Sequence, residues 1–179
     1  MVAEATLKET PDGLVAEGEG WYVLNARESR WGQRRTFGRR PFLEAEPMGT
    51  IFEGLGFQVA VLRPGEPNGM YHRESVQEDF LVVAGECVLV IEEQERRLRQ
   101  WDFVHCPPGT SHIFVGAGDG PCVIVMTGAR RADATIVYPV SEVAARHGAS
   151  VEEETPDPGV AYARYPRVPG AYRDGDLPS

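Results

Sequence analysis

Three residues within one short stretch, HRESVQE at positions 72–78, belong to types that bind metals and move protons. His72 is one of only four histidines in the chain, and the carboxylates Glu74 and Glu78 follow it closely. Because side chains alternate between the two faces of an extended strand, His72 and Glu74 should share a face. Apolar sequence begins directly after Glu78, so we expect these polar side chains to lie at the edge of a buried region.

A second histidine, His112, follows a turn predicted from Pro107, Pro108 and Gly109. A barrel fold can bring His112 close to His72, Glu74 and Glu78. Two imidazoles with one or two carboxylates suit a divalent first-row transition ion, whereas unpaired buried carboxylates would be costly. We therefore predict a metal site with the candidate ligands His72, Glu74, Glu78 and His112. The alternative is a hydrogen-bonded polar cluster that holds no metal.

Glu74 has three alternative roles in this prediction. It can ligate the ion, accept a hydrogen bond from a coordinating histidine, or act as a general base toward a substrate. The sequence favours ligation but leaves the other two roles open, and Glu74 is also our candidate catalytic residue. His105 alternates with Val104 and Cys106, so we expect it to point outward rather than toward the site.

Short apolar runs surround these residues and must position them. Each run has the length of a strand and is bounded by Gly, Pro or charged residues, which predicts an all-β sandwich or barrel. The runs are 57–61, 79–85, 87–93, 102–109, 111–118 and 122–128. An earlier strand is predicted at 20–25, after a loosely held segment 1–19. A short helix is predicted at 141–148, followed by an extended tail pinned by Tyr162, Tyr165 and Tyr172.

Composition narrows the classes of function. The chain has 179 residues, enough for one core, and a net charge of -9 that disfavours general binding to nucleic acid or anionic membranes. Cys87, Cys106 and Cys122 have no disulfide or zinc-knuckle spacing, which fits a reducing cytoplasm. Neither an export signal nor a membrane-spanning run is evident, so we expect a cytoplasmic protein.

Positive charge is concentrated between Arg27 and Arg40, where six arginines stand against one acidic residue. We interpret this stretch as a solvated or interface-facing arm that pairs with the protein's own acids. Binding of an anionic partner is the alternative interpretation.

The spacing of these residues resembles the two motifs of the cupin superfamily. The first motif maps onto Gly65, His72, Glu74, Glu78 and Gly85, and the second onto Trp101, Pro107, Gly109 and His112. The sequence departs from the motifs in three places. Gly65 lies one residue farther from His72 than in the motif, Trp101 replaces a glycine, and Glu74 replaces a histidine. A carboxylate in place of an imidazole favours harder ions such as Mn or ferrous Fe, with Zn and Ni as alternatives.

The resemblance implies a single cupin-type jelly-roll β-barrel with an N-terminal extension and a short C-terminal helix plus tail. We divide the chain into an N-terminal extension (1–49), a barrel core (50–128) and a C-terminal extension (129–179). The resemblance also implies one divalent transition metal per chain and a homodimer. The predicted function is metal-dependent catalysis on a small organic molecule, of oxygenase, decarboxylase or isomerase type. A non-catalytic protein that binds or senses a small molecule is the alternative.

A His-x-Glu pair with a distant histidine is also similar to the metal triad of 2-oxoglutarate-dependent iron oxygenases. Arg130 would then be the candidate to bind oxoglutarate. This interpretation leaves the spacing of Glu78 unexplained, and Arg130 is more simply interpreted as a solvated strand end.

Overall fold

Nearly all of the regular secondary structure in the described residues is β-strand. A computed structural model describes residues 1–34, 40–43, 45–47, 51–165 and 167–178. Within these ranges the strands are β1 (Thr6–Thr10), β2 (Gly13–Glu17), β3 (Arg30–Arg34), β4 (Arg40–Leu43), β5 (Leu55–Leu62), β6 (Arg73–Glu74), β7 (Glu78–Ala84), β8 (Glu86–Ile91), β9 (Gln94–Arg99), β10 (Phe103–Cys106), β11 (His112–Ala117), β12 (Cys122–Ala129), β13 (Ile136–Val137) and β14 (Arg167–Ala171). Two short helices are α1 (Glu142–Ala145) and α2 (Pro158–Ala161).

Two sheets enclose the main core. In the described part of the chain, the larger sheet has the strand order β10-β7-β12-β5-β4-β3-β14, and the smaller has the order β11-β8-β9. The larger sheet contributes Phe80, Val82 and Ile124 to one buried cluster, and the smaller contributes Leu89 and Phe114. Apolar side chains at alternate positions of the facing strands therefore fill the space between the sheets.

The central part of the sequence forms the strands that its pattern predicts. The runs at 79–85, 87–93, 102–109, 111–118 and 122–128 correspond to β7, β8, β10, β11 and β12, and the run at 57–61 lies in β5. The all-β prediction of the fold class is confirmed. The charged strand β9, with the sequence QERRLR, was not predicted because it lacks apolar alternation.

The first 25 residues differ from the prediction. Residues 1–19 are not loosely held, since β1 and β2 pair as an antiparallel hairpin from Thr6↔Glu17 to Thr10↔Gly13. The strand predicted at 20–25 is wrong, because only Trp21 makes an isolated bridge there, to Glu4. Trp21 of GWYVLN instead bonds to the segment just before the hairpin: the Ala5 N–H donates to the Trp21 carbonyl at 2.9 Å, and the Trp21 N–H donates to the Ala3 carbonyl at 3.2 Å.

The C-terminal tail packs on the N-terminal part of the chain. Strand β14 pairs with β3, and the rings of Trp31 and Tyr172 lie 6.0 Å apart. Arg27 donates hydrogen bonds to the Tyr172 hydroxyl and to the Pro178 carbonyl, each at 2.6 Å. Aromatic contacts thus hold the tail at Tyr172, and Tyr162 and Tyr165 pack against the buried cluster of Met70, Tyr138 and Ala161. Residues 35–39 of the arginine-rich stretch lie outside the described residues.

The helix predicted at 141–148 is present as α1, and its N-cap is the predicted Ser141, whose hydroxyl accepts the Ala144 N–H at 2.9 Å. The second helix, α2, was not predicted, although Asp157 caps it and Pro158 begins it. Across the described residues, we find no helix long and apolar enough to cross a membrane.

Candidate metal centre

Two histidines face each other at one end of the space between the sheets. His72 precedes β6, and His112 is the first residue of β11. Their main chains pair directly: the His112 N–H donates to the His72 carbonyl at 2.8 Å, and the His72 N–H donates to the His112 carbonyl at 3.2 Å. Because directly paired residues project to the same face, the imidazole rings lie together, with centroids 4.9 Å apart.

Backbone carbonyls orient both rings. Nδ1 of His72 lies 2.8 Å from the carbonyl oxygen of Met70, and Nδ1 of His112 lies 3.0 Å from that of Thr110. A carbonyl oxygen only accepts hydrogen bonds, so each Nδ1 carries the proton and each Nε2 presents a lone pair. This tautomer is the one required for metal ligation through Nε2.

Glu78 completes a group of three metal-binding side chains. One ligand atom from each of His72, Glu78 and His112 lies within 4.8 Å of the others. Oε2 of Glu78 is 3.6 Å from Nε2 of His112, too far for a hydrogen bond. Glu78 begins β7, where it pairs with Gly128 of β12 and Cys106 of β10.

Nε2 of His112 is buried and, as far as the described residues extend, has no hydrogen-bond partner. A buried polar atom without a partner is costly in a folded protein. Two imidazole lone pairs and one carboxylate, at a common point, match the ligand set of a divalent transition ion. The residues present therefore fit a metal of this class.

Burial shifts the ionisation of the whole group. Burial and the neighbouring His72 lower the pKa of His112 to about 3, and burial also lowers the pKa of His72. Burial and the charge of Glu74 raise the pKa of Glu78 to about 8. Both imidazoles are thus neutral at pH 7, whereas Glu78 holds a proton that a cation would displace.

Glu74 lies near this group without belonging to it. It lines the same cavity and raises the pKa of Glu78, but no oxygen of Glu74 joins the cluster of ligand atoms. Burial raises the pKa of Glu74 itself. Among the four candidate ligands from the sequence, the structure brings together His72, Glu78 and His112 and places Glu74 beside them; the ligand roles stay a prediction.

The group opens into a cavity of about 550 Å³. Phe80 packs edge-on against the His112 ring, with centroids 5.0 Å apart, and Tyr138 lies 6.0 Å from the His72 ring. The cavity lining also includes Glu46 from the N-terminal part of the chain and Tyr162 from the C-terminal part. Sequence analysis did not assign Glu46, Tyr138 or Tyr162 to the site, since no strand pattern connects them with the motifs.

Arg130 is not a solvated strand end, contrary to the prediction. It lines the cavity and forms an ion pair with Glu46, with Nη2 of Arg130 2.6 Å from Oε1 of Glu46. Met126, Thr127 and Gly128 line the same cavity, so Arg130 continues a stretch of β12 that borders the site, which strand alternation alone does not single out.

The remaining candidates lie elsewhere. The side chain of His105 is 49% exposed, and its Nδ1 lies 2.7 Å from Oδ1 of Asp79, so its predicted outward direction is confirmed. The cysteines Cys87, Cys106 and Cys122 are free thiols in the core, as their spacing indicated.

Comparison with known families identifies the central segment. Residues 58–128 match a family model described as "Cupin domain". This segment contains His72, Glu78 and His112. This central segment is therefore a cupin domain, as the motif spacing indicated. A search of curated protein sequences finds no significant match.

Solved structures with the same fold include several classes of enzyme. A "predicted oxalate decarboxylase" from Thermotoga maritima has 16% sequence identity and a TM-score of 0.54, over 62% of this chain and 100% of that chain. The polyketide cyclase RemF from Streptomyces resistomycificus has 11% identity and a TM-score of 0.51, over 64% of this chain and 84% of that chain. At these identities the similarity shows the fold alone.

A cupin described as a sugar phosphate isomerase from Silicibacter pomeroyi has 24% identity and a TM-score of 0.46, over 54% of this chain and 63% of that chain. A similar protein from Acidithiobacillus ferrooxidans is covered over 57% of its length. The chain thus spans less than two thirds of each of these two structures.

Proposed function

We propose that this cupin is a metal-dependent enzyme that acts on a small organic molecule. The observation that carries the proposal is the buried Nε2 of His112, which has no hydrogen-bond partner among the described residues and lies with His72 and Glu78 around one point. The proposed ligands are His72, Glu78 and His112, and the ion is one Mn, Fe, Zn or Ni per chain. When bound, such an ion supplies a Lewis acid or an oxygen-activating centre.

Three protein ligands suit catalysis better than a purely structural site. A structural metal is usually enclosed by protein ligands, whereas a catalytic ion keeps a position open to substrate or water. The cavity beside the histidines gives a small molecule room to reach that position. Phe80 and Tyr138 pack beside the imidazoles, and burial lowers the pKa of both histidines, which favours their neutral form.

Glu74 is the proposed general base. Its carboxylate lines the cavity, and burial raises its pKa, which makes the carboxylate a stronger base. Glu74 then exchanges a proton with a substrate held beside His72 and Glu78. The alternative, in which Glu74 is a fourth ligand, predicts that Glu74→Gln weakens metal binding as much as Glu78→Gln does.

The test combines metal content with turnover. Protein expressed with Mn, Fe, Zn and Ni supplied is expected to retain about one ion per chain, measured by elemental analysis. The metal-loaded protein is then incubated with a metabolite mixture while oxygen uptake and product masses are followed, with His112→Ala as the inactive control. Absence of metal under all four conditions would contradict the proposal.

A compound that binds only to the metal-loaded protein, emerges unchanged and consumes no oxygen would favour the second candidate, a non-catalytic binding protein. The cavity that adjoins the candidate ligands favours binding of a small molecule in either case.

We further propose a homodimer, which sedimentation analysis would test.

A further inference from the structure

A second cavity, of about 440 Å³, adjoins the one that contains the candidate metal ligands. Leu43, Ala45 and Phe57 line both cavities and so form a shared wall. The other lining residues are Trp21, Tyr22, Leu24 and Phe52. All of the lining residues precede residue 58, where the match to the cupin domain begins. This chain therefore adds to its cupin segment a cavity lined by side chains from residues 21 to 57.

The chemical character of the two cavities differs. The first contains imidazoles, carboxylates and Arg130, whereas the second is lined by four aromatic side chains, two leucines and one alanine. Trp21 is 51% exposed and Phe57 38% exposed, which leaves large aromatic surfaces open at this place. Aromatic walls favour an aryl group, which gains from burial of its area and from edge-to-face ring contacts.

Polar contacts hold the walls of the second cavity in place. The Tyr22 hydroxyl donates to the Ala45 carbonyl at 2.6 Å. The Phe52 N–H donates to Oε1 of Glu46 at 3.1 Å, and Nη1 of Arg130 donates to the Phe52 carbonyl at 3.2 Å. The Glu46–Arg130 pair lines the first cavity, so the same two side chains support both cavities.

We infer that the second cavity is an apolar subsite for the same small molecule whose polar end meets His72, Glu78 and His112. The substrate class is then a small molecule that carries an aryl group beside an oxygen-rich, metal-chelating group. This inference rests on the proposed function for the chelating end and on the second cavity for the apolar end. Because Leu43, Ala45 and Phe57 line both cavities, the apolar cavity lies directly beside the one that holds the candidate metal ligands.

The test uses two hydroxamates with the same chelating group. Acetohydroxamic acid has a methyl group, and 3-phenylpropionohydroxamic acid has an aryl group on a short linker. Burial of the ring is expected to give the aryl probe about tenfold or greater affinity for the metal-loaded protein by calorimetry. Trp21→Ala should remove most of this gain without changing the affinity for acetohydroxamic acid. Trp101→Ala, which removes a tryptophan that is 68% exposed and outside both cavities, is the matched control.

The outcomes separate the inference from the proposed function. If metal and acetohydroxamic acid bind but the aryl group gives no gain, the subsite is wrong and the metal function stands. If the protein holds no metal yet binds the non-chelating 3-phenylpropionamide in a Trp21-dependent manner, the metal function is wrong and the apolar subsite stands. If Trp21→Ala instead changes the mass of the particle in sedimentation, the aromatic surface is covered by a second copy of the chain and the inference fails.

Discussion

His72 and His112 hold each other through two main-chain hydrogen bonds, at 2.8 Å and 3.2 Å, although forty residues separate them in the sequence. This pairing fixes both imidazoles on one face before any ligand binds. A site organised in this way needs little rearrangement to accept an ion, because the Nδ1 atoms already donate to backbone carbonyls.

The first prediction concerns the histidines. His112→Ala should weaken metal binding by more than about 100-fold, since a ligand matters at least as much as the groups that orient it. His105→Ala, which removes an exposed histidine outside the cavity, should leave metal binding unchanged. Metal titration followed by calorimetry measures both. Equal losses of metal affinity in the two variants would mean that His112→Ala weakens metal binding only by disturbing the fold.

The second prediction separates the two glutamates. Glu78→Gln should weaken metal binding strongly, because Glu78 belongs to the group of ligand atoms. Glu74→Gln should weaken it less while lowering turnover by about 10²- to 10⁴-fold, the usual contribution of a general base. The comparison of metal affinity and kcat in the two variants decides the role of Glu74. Equal loss of metal in both variants would make Glu74 a fourth ligand.

The third prediction is the pH dependence of metal affinity. Glu78, with a pKa of about 8, must lose its proton when a cation binds, whereas His112, with a pKa of about 3, is already neutral. Affinity should therefore rise about tenfold per pH unit between pH 6.5 and 8 and then level off. Calorimetry in buffers of different ionisation enthalpy should detect about one released proton. Release of two protons at pH 7 would show that the imidazoles are not neutral.

The fourth prediction is the stability of the metal-free protein. As pH rises above the ordinary pKa of a glutamate, 4.5, the unfolded chain ionises Glu78 first, while the folded chain keeps the proton up to about pH 8. The unfolded state then binds fewer protons, so the contribution of Glu78 to the free energy of unfolding falls as pH rises through this window. The contribution of His112 to the free energy of unfolding instead rises with pH, and it does so only below the ordinary histidine pKa of 6.5.

The cleanest measurement therefore lies between pH 6.5 and 8. There the metal-free protein should lose up to about 1.4 kcal/mol of unfolding free energy per pH unit relative to Glu78→Gln, a neutral side chain of the same shape. Urea denaturation of both proteins in the presence of a chelator gives the difference. Parallel pH profiles would show that Glu78 is not buried as described.

The sequence predicted the parts of the fold in which local pattern and tertiary contact agree. Strands β7 to β12, apart from β9, are short apolar runs bounded by Gly, Pro or charged residues, so their existence followed from run length and turn signals. The proximity of His72, Glu78 and His112 followed from motif spacing. The division of the chain at residues 49 and 128 stays a prediction.

Other features depend on contacts that no local pattern encodes. Trp21 was assigned to a strand because GWYVLN is rich in β-forming residues, yet it borders the second cavity and makes a single bridge. Strand β14 contains Pro169 and Gly170 and forms only because β3 accepts it as an edge. The Glu46–Arg130 pair joins segments 84 residues apart, which sequence periodicity does not connect.

The fifth prediction compares two glycines of the cupin motifs. Gly85 and Gly109 have φ angles of +72° and +86°, in the left-handed region where any side chain is strained. They differ in their surroundings. A Cβ on Gly85 would overlap the carbonyl oxygen of Pro121 and lie 2.9 Å from Cα of Cys122, whereas a Cβ on Gly109 would meet nothing within 4 Å.

Gly109→Ala should therefore lower the free energy of unfolding by only about 1 to 2 kcal/mol, the cost of the left-handed backbone. Gly85→Ala should lower it by about 3 kcal/mol or more, because backbone atoms at the start of β12 must also move and this strand pairs with both β5 and β7. Urea denaturation at one pH measures both variants. Equal losses would show that the close approach of Gly85 to Pro121 is relieved at no cost. A larger loss of unfolding free energy for Gly109→Ala would mean that the turn before His112 is more constrained than the contact of Gly85 with Pro121.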